Sequence, residues 1–448
     1  MTAPTPRPTV YVETYGCQMN VSDSELMLGR LAATGYQPVE HPDGADVILV
    51  NTCAIRDHAE QRVIGRLGEL KRHMKPETVM GVTGCMAQRL GPALLEKARH
   101  VSLVIGPDGY RALPALVDGA RRGERAIATT FDLEEHYEDF APRRFDRVKA
   151  WIPVQRGCDY RCTYCIVPTT RGAERSRRLD DVIREVEGVV ADGMSEVVLL
   201  GQTVNSYDDG RHDFADLLRR VGSVPGIRRV RFTSPHPNDF SDRVIAALAE
   251  VPTVCEHVHL PMQSGSTRTL KRMLRRYTRE EYFDCVARLR AAVPGLALTT
   301  DVIVGFPGET DEDFEETLSA VEAVGFVDAY TFIFSPRDGT PATRLPADLA
   351  VPADVASERL QRLVALVRAG ARRRNLTLLG TRHEVLVERE AKRGEAMLMT
   401  RTRDFKTVLV PGDASMLGRY LTVELTGTTG STFTGAIVRE RQPLPMAG

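Results

Sequence analysis

Three cysteines crowd into RGCDYRCTYCIVP, residues 156–168: Cys158, Cys162 and Cys165, in the pattern C-x3-C-x2-C. The chain has only eight cysteines in 448 residues, so this grouping asks for a chemical reason. On a helix, positions i, i+4 and i+7 share a face and could simply be small core residues. Gly157 before them, Pro168 after them and Asp159, Arg161 and Thr163 between them favour a loop instead. A structural zinc site wants four ligands, and the nearest histidines in the chain are His136 and His212. Iron–sulfur chemistry explains the number three. Four cysteine thiolates complete a 4Fe–4S cluster; three leave one iron open, where a reactant can bind directly.

Cys17, Cys53 and Cys85 are far apart in the chain, but their settings match. VETYGC, VNTC and VTGC each place a cysteine just past an apolar, strand-like run. Successive βα junctions of a parallel sheet converge at one edge, so three sulfurs can meet there. Three unrelated buried thiols are the alternative, since free cysteine is commonly buried. A second cluster with an open iron is the sharper reading. Cys255 and Cys285 fall in a strand and a helix and read as core thiols; His257 and His259 share one strand face as a packed pair.

The elements that must position these residues follow from hydrophobic periodicity. Residues 8–125 alternate buried strand-like runs (9–14, 45–51, 78–84) with amphipathic helices (22–35, 58–73), which makes an α/β domain on a parallel sheet. Residues 126–147 have an acidic half and a basic half with little apolar period, and read as a linker. From 148 to 374 six strand-like runs alternate with helical segments, among them 180–192, 241–250, 279–293 and 311–324. Thr310 and Asp313 form a capping-box pattern, and Gly325 follows the last helical turn of that segment. Six βα units predict a partial barrel or a doubly wound sheet, with ligands at the carboxyl ends of the strands. After a long basic helix (356–376), residues 377–442 turn to period-two alternation (383–390, 419–426, 432–440), the mark of a small all-β module.

Composition narrows the class. Apolar content of 42% and charged content of 27% are ordinary for a soluble protein. No apolar run approaches the ~18 residues of a membrane span, and MTAPTPRPT lacks the apolar core of a secretory signal, so a cytoplasmic protein with reduced thiols is expected. A formal charge of −1 rules out a whole-protein field for nucleic acid. Any such site must be local, with candidates in RRFDRVK (143–149), RSRR (175–178), KRMLRR (271–276) and RRR (372–374).

Several stretches together resemble one family: TYGCQMNVSDSE (14–25), NTCAIRDHAEQRV (51–63), TGCMAQR (83–89), RGCDYRCTYCIVPTTRG (156–172), LLGQTVNSY (199–207), TSPHP (233–237), HLPMQSGS (259–266), TDVIVGFPGETDEDFEETL (300–318) and SPRDGTPA (335–342). The chain is similar to the radical S-adenosylmethionine (SAM) methylthiotransferases. Within them, YGCQMN and NTCAIRDHAEQ resemble the branch acting on isopentenylated adenosine in tRNA.

The resemblance implies a methylthiotransferase N-terminal domain, a partial (β/α)6 radical SAM barrel and a C-terminal TRAM domain. It implies two 4Fe–4S clusters, on Cys158, Cys162 and Cys165 and on Cys17, Cys53 and Cys85, and SAM used both as methyl donor and as radical source. The substrate it implies is tRNA carrying N6-isopentenyladenosine, methylthiolated at C2 beside the anticodon. An electron donor is required, no membrane is involved, and the chain is expected to act as a monomer. Sister reactions on threonylcarbamoyl-adenosine in tRNA or on a ribosomal-protein aspartate are the alternatives, with a non-catalytic iron–sulfur RNA-binding regulator behind them. Strand-end residues Gln202, Asn205 and Ser234 are the candidate SAM contacts, with Gly305 and Gly308 of VGFPGE packing on the adenine or serving turn geometry. Arg56, near Cys53, is a candidate for stacking on the substrate base.

Overall fold

Strands that are covered on both faces read as continuous apolar runs rather than alternating ones, and the first domain follows that rule. The computed structural model describes residues 7–54, 57–392 and 396–438. Strands β1 (Thr9–Thr14), β2 (Gln37–Pro38), β3 (Val47–Thr52), β4 (Val79–Gly84), β5 (Leu103–Ile105) and β6 (Ala126–Ala128) form one parallel sheet in the order β2-β1-β3-β4-β5-β6. Every residue of β3 and β4 is buried. Helices α1 (Gln18–Ala33) and α5 (Leu113–Arg121) cover one face through Met27, Leu31 and Val117; α2 (Asp57–Leu70), α3 (Cys85–Leu90) and α4 (Pro92–Lys97) cover the other through Val63, Leu67, Met86 and Leu94.

Residues 126–147, expected as a linker, are packed chain. Ala126–Ala128 supply the sixth strand, and Tyr137 and Phe140 are buried in the core under α1 and α5. Part of the charge that suggested a linker is spent on neighbours: Glu135 pairs with Arg111, and Arg144 with Glu25 and Glu185.

The second domain is a run of six βα units. Strands β7 (Lys149–Pro153), β10 (Glu196–Leu200) and β11 (Arg229–Phe232) form one parallel sheet; β12 (His257–His259), β13 (Ala297–Val304) and β14 (Asp328–Ile333) form another. A bridge between Val230 and Val254 joins them into an open barrel. The short ladder of β8 (Gln155–Arg156) and β9 (Arg175–Ser176) flanks the cysteine loop and the one-turn helix α6 (Val167–Arg171). Helices α7 (Leu179–Ala191), α8 (Phe214–Gly222), α9 (Asp242–Glu250), α10 (Thr267–Arg272), α11 (Arg279–Ala292) and α12 (Asp311–Val324) connect the strands, and a single apolar core runs between strands and helices. The caps follow the sequence: Thr310 and Asp313 close a capping box on α12, and Gly325 ends it in the left-handed region at φ 61°.

Helix α13 (Ala353–Thr377) leads to a closed barrel of β15 (Arg382–Glu390), β16 (Met397–Thr402), β17 (Thr407–Pro411), β18 (Tyr420–Thr428) and β19 (Thr432–Ile437). The sequence pattern marked three of these strands. The other two, β16 and β17, bury alternate residues, Leu398, Thr400 and Thr402 on one and Val408 and Val410 on the other. Residues 439–440 of the last expected strand lie outside the described residues.

This barrel sits at the amino ends of the six strands, away from the cysteines. Arg229, fully buried, donates to Arg401 O (2.8 Å) and Glu384 O (3.1 Å). Arg231 donates to Thr402 O and Arg403 O (both 2.8 Å) and pairs with Glu196 at 3.2 Å. Phe405 stacks on His257 with ring centroids 4.6 Å apart. Arg231→Met leaves Glu196 only its longer contact with Arg229 (3.7 Å) and removes the donor to two carbonyls inside this interface. We expect a loss of about 3–5 kcal/mol, read as loosening of the C-terminal barrel at lower urea concentration.

Candidate metal centres

The loop of the first trio is held by glutamines from two strand ends. Gly157 stands at φ 78°, and a Cβ there would lie 1.9 Å from Ala173 O, so only glycine fits. Its N–H donates to Gln202 Oε1 at 2.6 Å, while Gln155 Oε1 accepts from the backbone N–H of Gln202 (2.7 Å) and Thr203 (3.2 Å). Cys158 Sγ lies 3.2 Å from Thr203 Oγ1. On the far side, Thr163 N–H and Oγ1 bond to Met273 O and Arg272 O, both at 3.0 Å. Beyond that contact, Arg275 reaches in. Its Nη1 is 3.4 Å from Cys162 Sγ, and its other N–H groups reach Tyr277 Oη, Tyr164 Oη and Pro261 O. Leu274 and Arg276, on either side, are left-handed at φ 55° and 58°. Two such non-glycine residues cost of order 1–3 kcal/mol each, strain that serves to turn the Arg275 cation inward.

The second trio forms at the carboxyl edge of the first sheet. Cys17 caps the amino end of α1, Cys53 follows β3, and Cys85 opens α3 directly after β4. Gly84 makes that turn at φ 88°, where a Cβ would be 2.4 Å from Asn51 Oδ1. Two buried asparagines tie the turns together. Asn20 Nδ2 donates to Asn51 Oδ1 and Thr52 O (both 3.1 Å), and Asn51 Nδ2 donates to Asn20 O (2.8 Å) and Ser24 Oγ (2.9 Å). Met19 and Cys17 pack on Val198, Leu200 and Trp151 of the barrel, and Ile166, next to Cys165, packs on Ala54 and Cys85. The two trios thus meet across one domain junction. Arg171, at the end of α6, donates from Nε to Cys85 Sγ at 3.1 Å.

The donor chemistry fits iron–sulfur clusters. Burial pushes the Cys165 thiol up to about 12, with Cys162 adding in the same direction, and burial also raises Cys158 and Cys85. Thiols this reluctant to ionise alone become thiolates when a metal supplies the positive charge. No three His, Cys, Asp or Glu side chains among the described residues close on a point, as a single ion requires. Thiolates that each bind a different iron of one cluster stand further apart.

The remaining candidates are placed as follows. Gln202 frames the cysteine loop. Asn205 has both amide atoms on the backbone of His236, at 2.7 and 2.9 Å, which makes it a brace. Ser234 sits half-buried past β11 at φ 59°. Gly305 N–H and Phe306 N–H both donate to Glu309 Oε2, and Gly308 N–H donates to Leu349 O. The amides of this turn are therefore engaged within the chain, which favours the turn-geometry role. Arg56 lies outside the described residues. Cys255 and Cys285 are buried in the core, and His257 and His259 share Thr299 Oγ1 at 3.0 Å each. Several arginines of the basic runs are spent internally, Arg144 and Arg177 on Glu185 and Arg175 on Asp108, while Arg143, Arg147, Arg178 and Arg276 are exposed. Arg372 and Arg373 on α13 stay exposed. Sequence reading missed Asp23, Gln155, Arg171, Thr203 and Arg275. Asp23, Arg171 and Thr203 lay inside the quoted motifs, but nothing in a linear pattern says that an arginine reaches a sulfur in another domain.

Glu174, half-buried beside the first trio, accepts from Ser206 Oγ at 2.5 Å, and burial pushes its carboxyl up to about 7. Between the ordinary value of 4.5 and about 7, the folded protein holds a proton that the unfolded chain has released. Stability contributed by this group therefore falls as pH rises through that window. Glu174→Gln is expected to flatten this slope in urea unfolding measured across it.

Comparison with known proteins completes the site. Residues 152–321 match the radical SAM superfamily, and residues 9–106 match an uncharacterized protein family, UPF0004. Over 439 residues the chain is 45% identical to the tRNA-2-methylthio-N(6)-dimethylallyladenosine synthase of Geobacillus thermodenitrificans, covering 96% of this chain and 83% of that one. The protein of the same name from Acetivibrio thermocellus is 43% identical over 438 residues, covering 96% and 90%. Among solved structures, the fold resembles the radical SAM methyltransferase TsrM of Kitasatospora setae, with a TM-score of 0.58 at 15% identity over 75% of this chain and 77% of that one. It also resembles the cobalamin-dependent radical enzyme OxsB, at 0.54 and 12% over 81% and 57%. At these identities the likeness is one of fold.

Proposed function

The chain belongs to the tRNA-2-methylthio-N(6)-dimethylallyladenosine synthase family, and from that membership we propose that it adds a methylthio group to C2 of N6-isopentenyladenosine beside the tRNA anticodon. In this reading Cys158, Cys162 and Cys165 would hold a 4Fe–4S cluster with one coordination position left for SAM, and Cys17, Cys53 and Cys85 would hold a second cluster as the source of sulfur chemistry. The bound groups supply what side chains cannot: a one-electron route to an adenosyl radical that can attack an unactivated C–H bond, and a methyl group from a second SAM.

The observation that carries the reading is the meeting of two cysteine trios at one junction, linked by a helix of five residues. Such a helix is roughly 8 Å long, so both sites can serve one substrate atom. The protein's own residues supply the setting. Gln155 and Gln202 fix the cysteine loop against the ends of β7 and β10. Ser234, beside that loop, is the candidate polar contact for SAM at the end of β11. Arg275 sets a buried positive charge beside Cys162. The asparagine pair Asn20 and Asn51 holds the turns of Cys17 and Cys53 in register, and Thr52 Oγ1 donates to Thr83 O at the end of β4. An adenine in an anticodon loop is single-stranded and can be splayed out of its stack to reach such a site.

Deletion of the gene followed by mass spectrometry of tRNA nucleosides tests the substrate. The expected result is loss of the methylthio group with N6-isopentenyladenosine left behind; an unchanged methylthio-isopentenyl pool overturns it. Anaerobic iron counting tests the two clusters. Cys17→Ala, Cys53→Ala and Cys85→Ala together should remove about half of the iron, since each cluster carries four irons. Unaltered iron content would refute the second site.

A further inference from the structure

Helix α6 begins two residues after Cys165 and ends on the other trio. Its last residue, Arg171, is 3% exposed and crosses into the N-terminal domain. There Nε donates to Cys85 Sγ at 3.1 Å, and Nη1 lies 2.8 Å from Asp23 Oδ2. Asp23 is fully buried and also holds Arg156, with Nη1 2.9 Å from Oδ1. Beside them Arg175 pairs with Asp108, and the neighbouring Glu135 is taken by Arg111. Two buried arginines, 156 and 171, thus share the single carboxylate of Asp23, one more cation than carboxylate at that point. Arg171 Nη2 has no hydrogen-bond partner among the described residues. A surplus cation is costly to bury unless an anion meets it, and the group that Arg171 touches outside the ion pairs is the sulfur of Cys85.

We propose that Arg171, a residue of the radical domain, positions and electrostatically poises the second cluster through its hydrogen bond to Cys85. This inference rests on reading Cys17, Cys53 and Cys85 as cluster ligands. Hydrogen bonds to ligating sulfurs and the net charge around a cluster set its reduction potential. A cation donating to Cys85 stabilises the more negative, reduced form and raises the potential. The same bond fixes Cys85 relative to the loop of the first trio, so Arg171 is a positioning residue that acts through the sulfur rather than on the substrate.

The test uses the full chain carrying C158A, C162A and C165A, in which only the second site binds a cluster. R171M, R171K and R156M are added to that background, reconstituted anaerobically with iron and sulfide, and followed by iron content and EPR-monitored redox titration. R171M should keep its iron, change the EPR signal and shift the midpoint potential to a more negative value. R171K, which keeps the charge, should recover most of the shift. R156M removes a cation from the same aspartate but touches no sulfur, and should shift the potential less than R171M. An unchanged potential and spectrum in R171M, or an equal shift in R156M, overturns the proposal. If R171M is insoluble, R171Q, which loses the charge but keeps an N–H donor, decides: a lowered potential supports the role and an unchanged one refutes it. Absence of iron from the parental triple variant would instead overturn the second cluster, and this inference with it.

Discussion

Parallel strand pairing is the constraint on which the rest of this structure depends. In a parallel sheet every strand must return by a crossover, so all the βα turns open at the same edge. The first domain applies this to cysteines scattered over three turns, and the barrel applies it to the loop after β7 and β8, where three cysteines stand together. The two edges then face each other, and the apolar contacts of Met19 with Val198 and of Ile166 with Ala54 seal the seam. Any device that loosened strand pairing in the first domain would separate three cysteines that no local sequence pattern holds together.

The seam itself is unusual in being charged. Asp23, Arg156 and Arg171 are all nearly or fully buried. Buried ion pairs add little to stability against apolar packing, because desolvation offsets most of their attraction. What they provide is geometry: an aspartate that two arginines must meet permits one relative orientation of the domains. At the opposite end of the barrel Arg229 and Arg231 do the same for the C-terminal module, reaching main-chain carbonyls and, from Arg229, the carboxylate of Glu384. The module is thereby fixed at the amino ends of the strands, leaving the carboxyl ends to the chemistry.

Much of this was legible in the sequence, for identifiable reasons. Helix α12 is bounded by a capping box and a left-handed glycine, both local signals, and its limits match the reading of residues 311–324. The central strands β3 and β4 of the first sheet read as largely apolar runs because both of their faces are covered. The segment 126–147 misled because its aromatic residues, Tyr137 and Phe140, lack a period while its charges are plentiful; only the tertiary partners of those charges show that it is packed. Strands β16 and β17 escaped notice because the buried positions of β16 carry Thr400 and Thr402 beside Leu398, and the apolar residues of β17 form one short run, so neither shows apolar alternation. At the site, the cysteines declared themselves through spacing and strand-end position. Arg171 and Arg275 did not, since each reaches a sulfur that is remote in sequence.

The brevity of α6 has a mechanical consequence. A helix of little more than one turn, with a cysteine of the first trio just before it and its final side chain bonded to a cysteine of the second, cannot act as a hinge. The distance between the two trios is therefore a fixed property of the chain rather than a variable that domain closure adjusts. A large substrate entering this gap has to do the moving itself: the nucleoside must swing in from its own backbone to meet two stations whose spacing is already set.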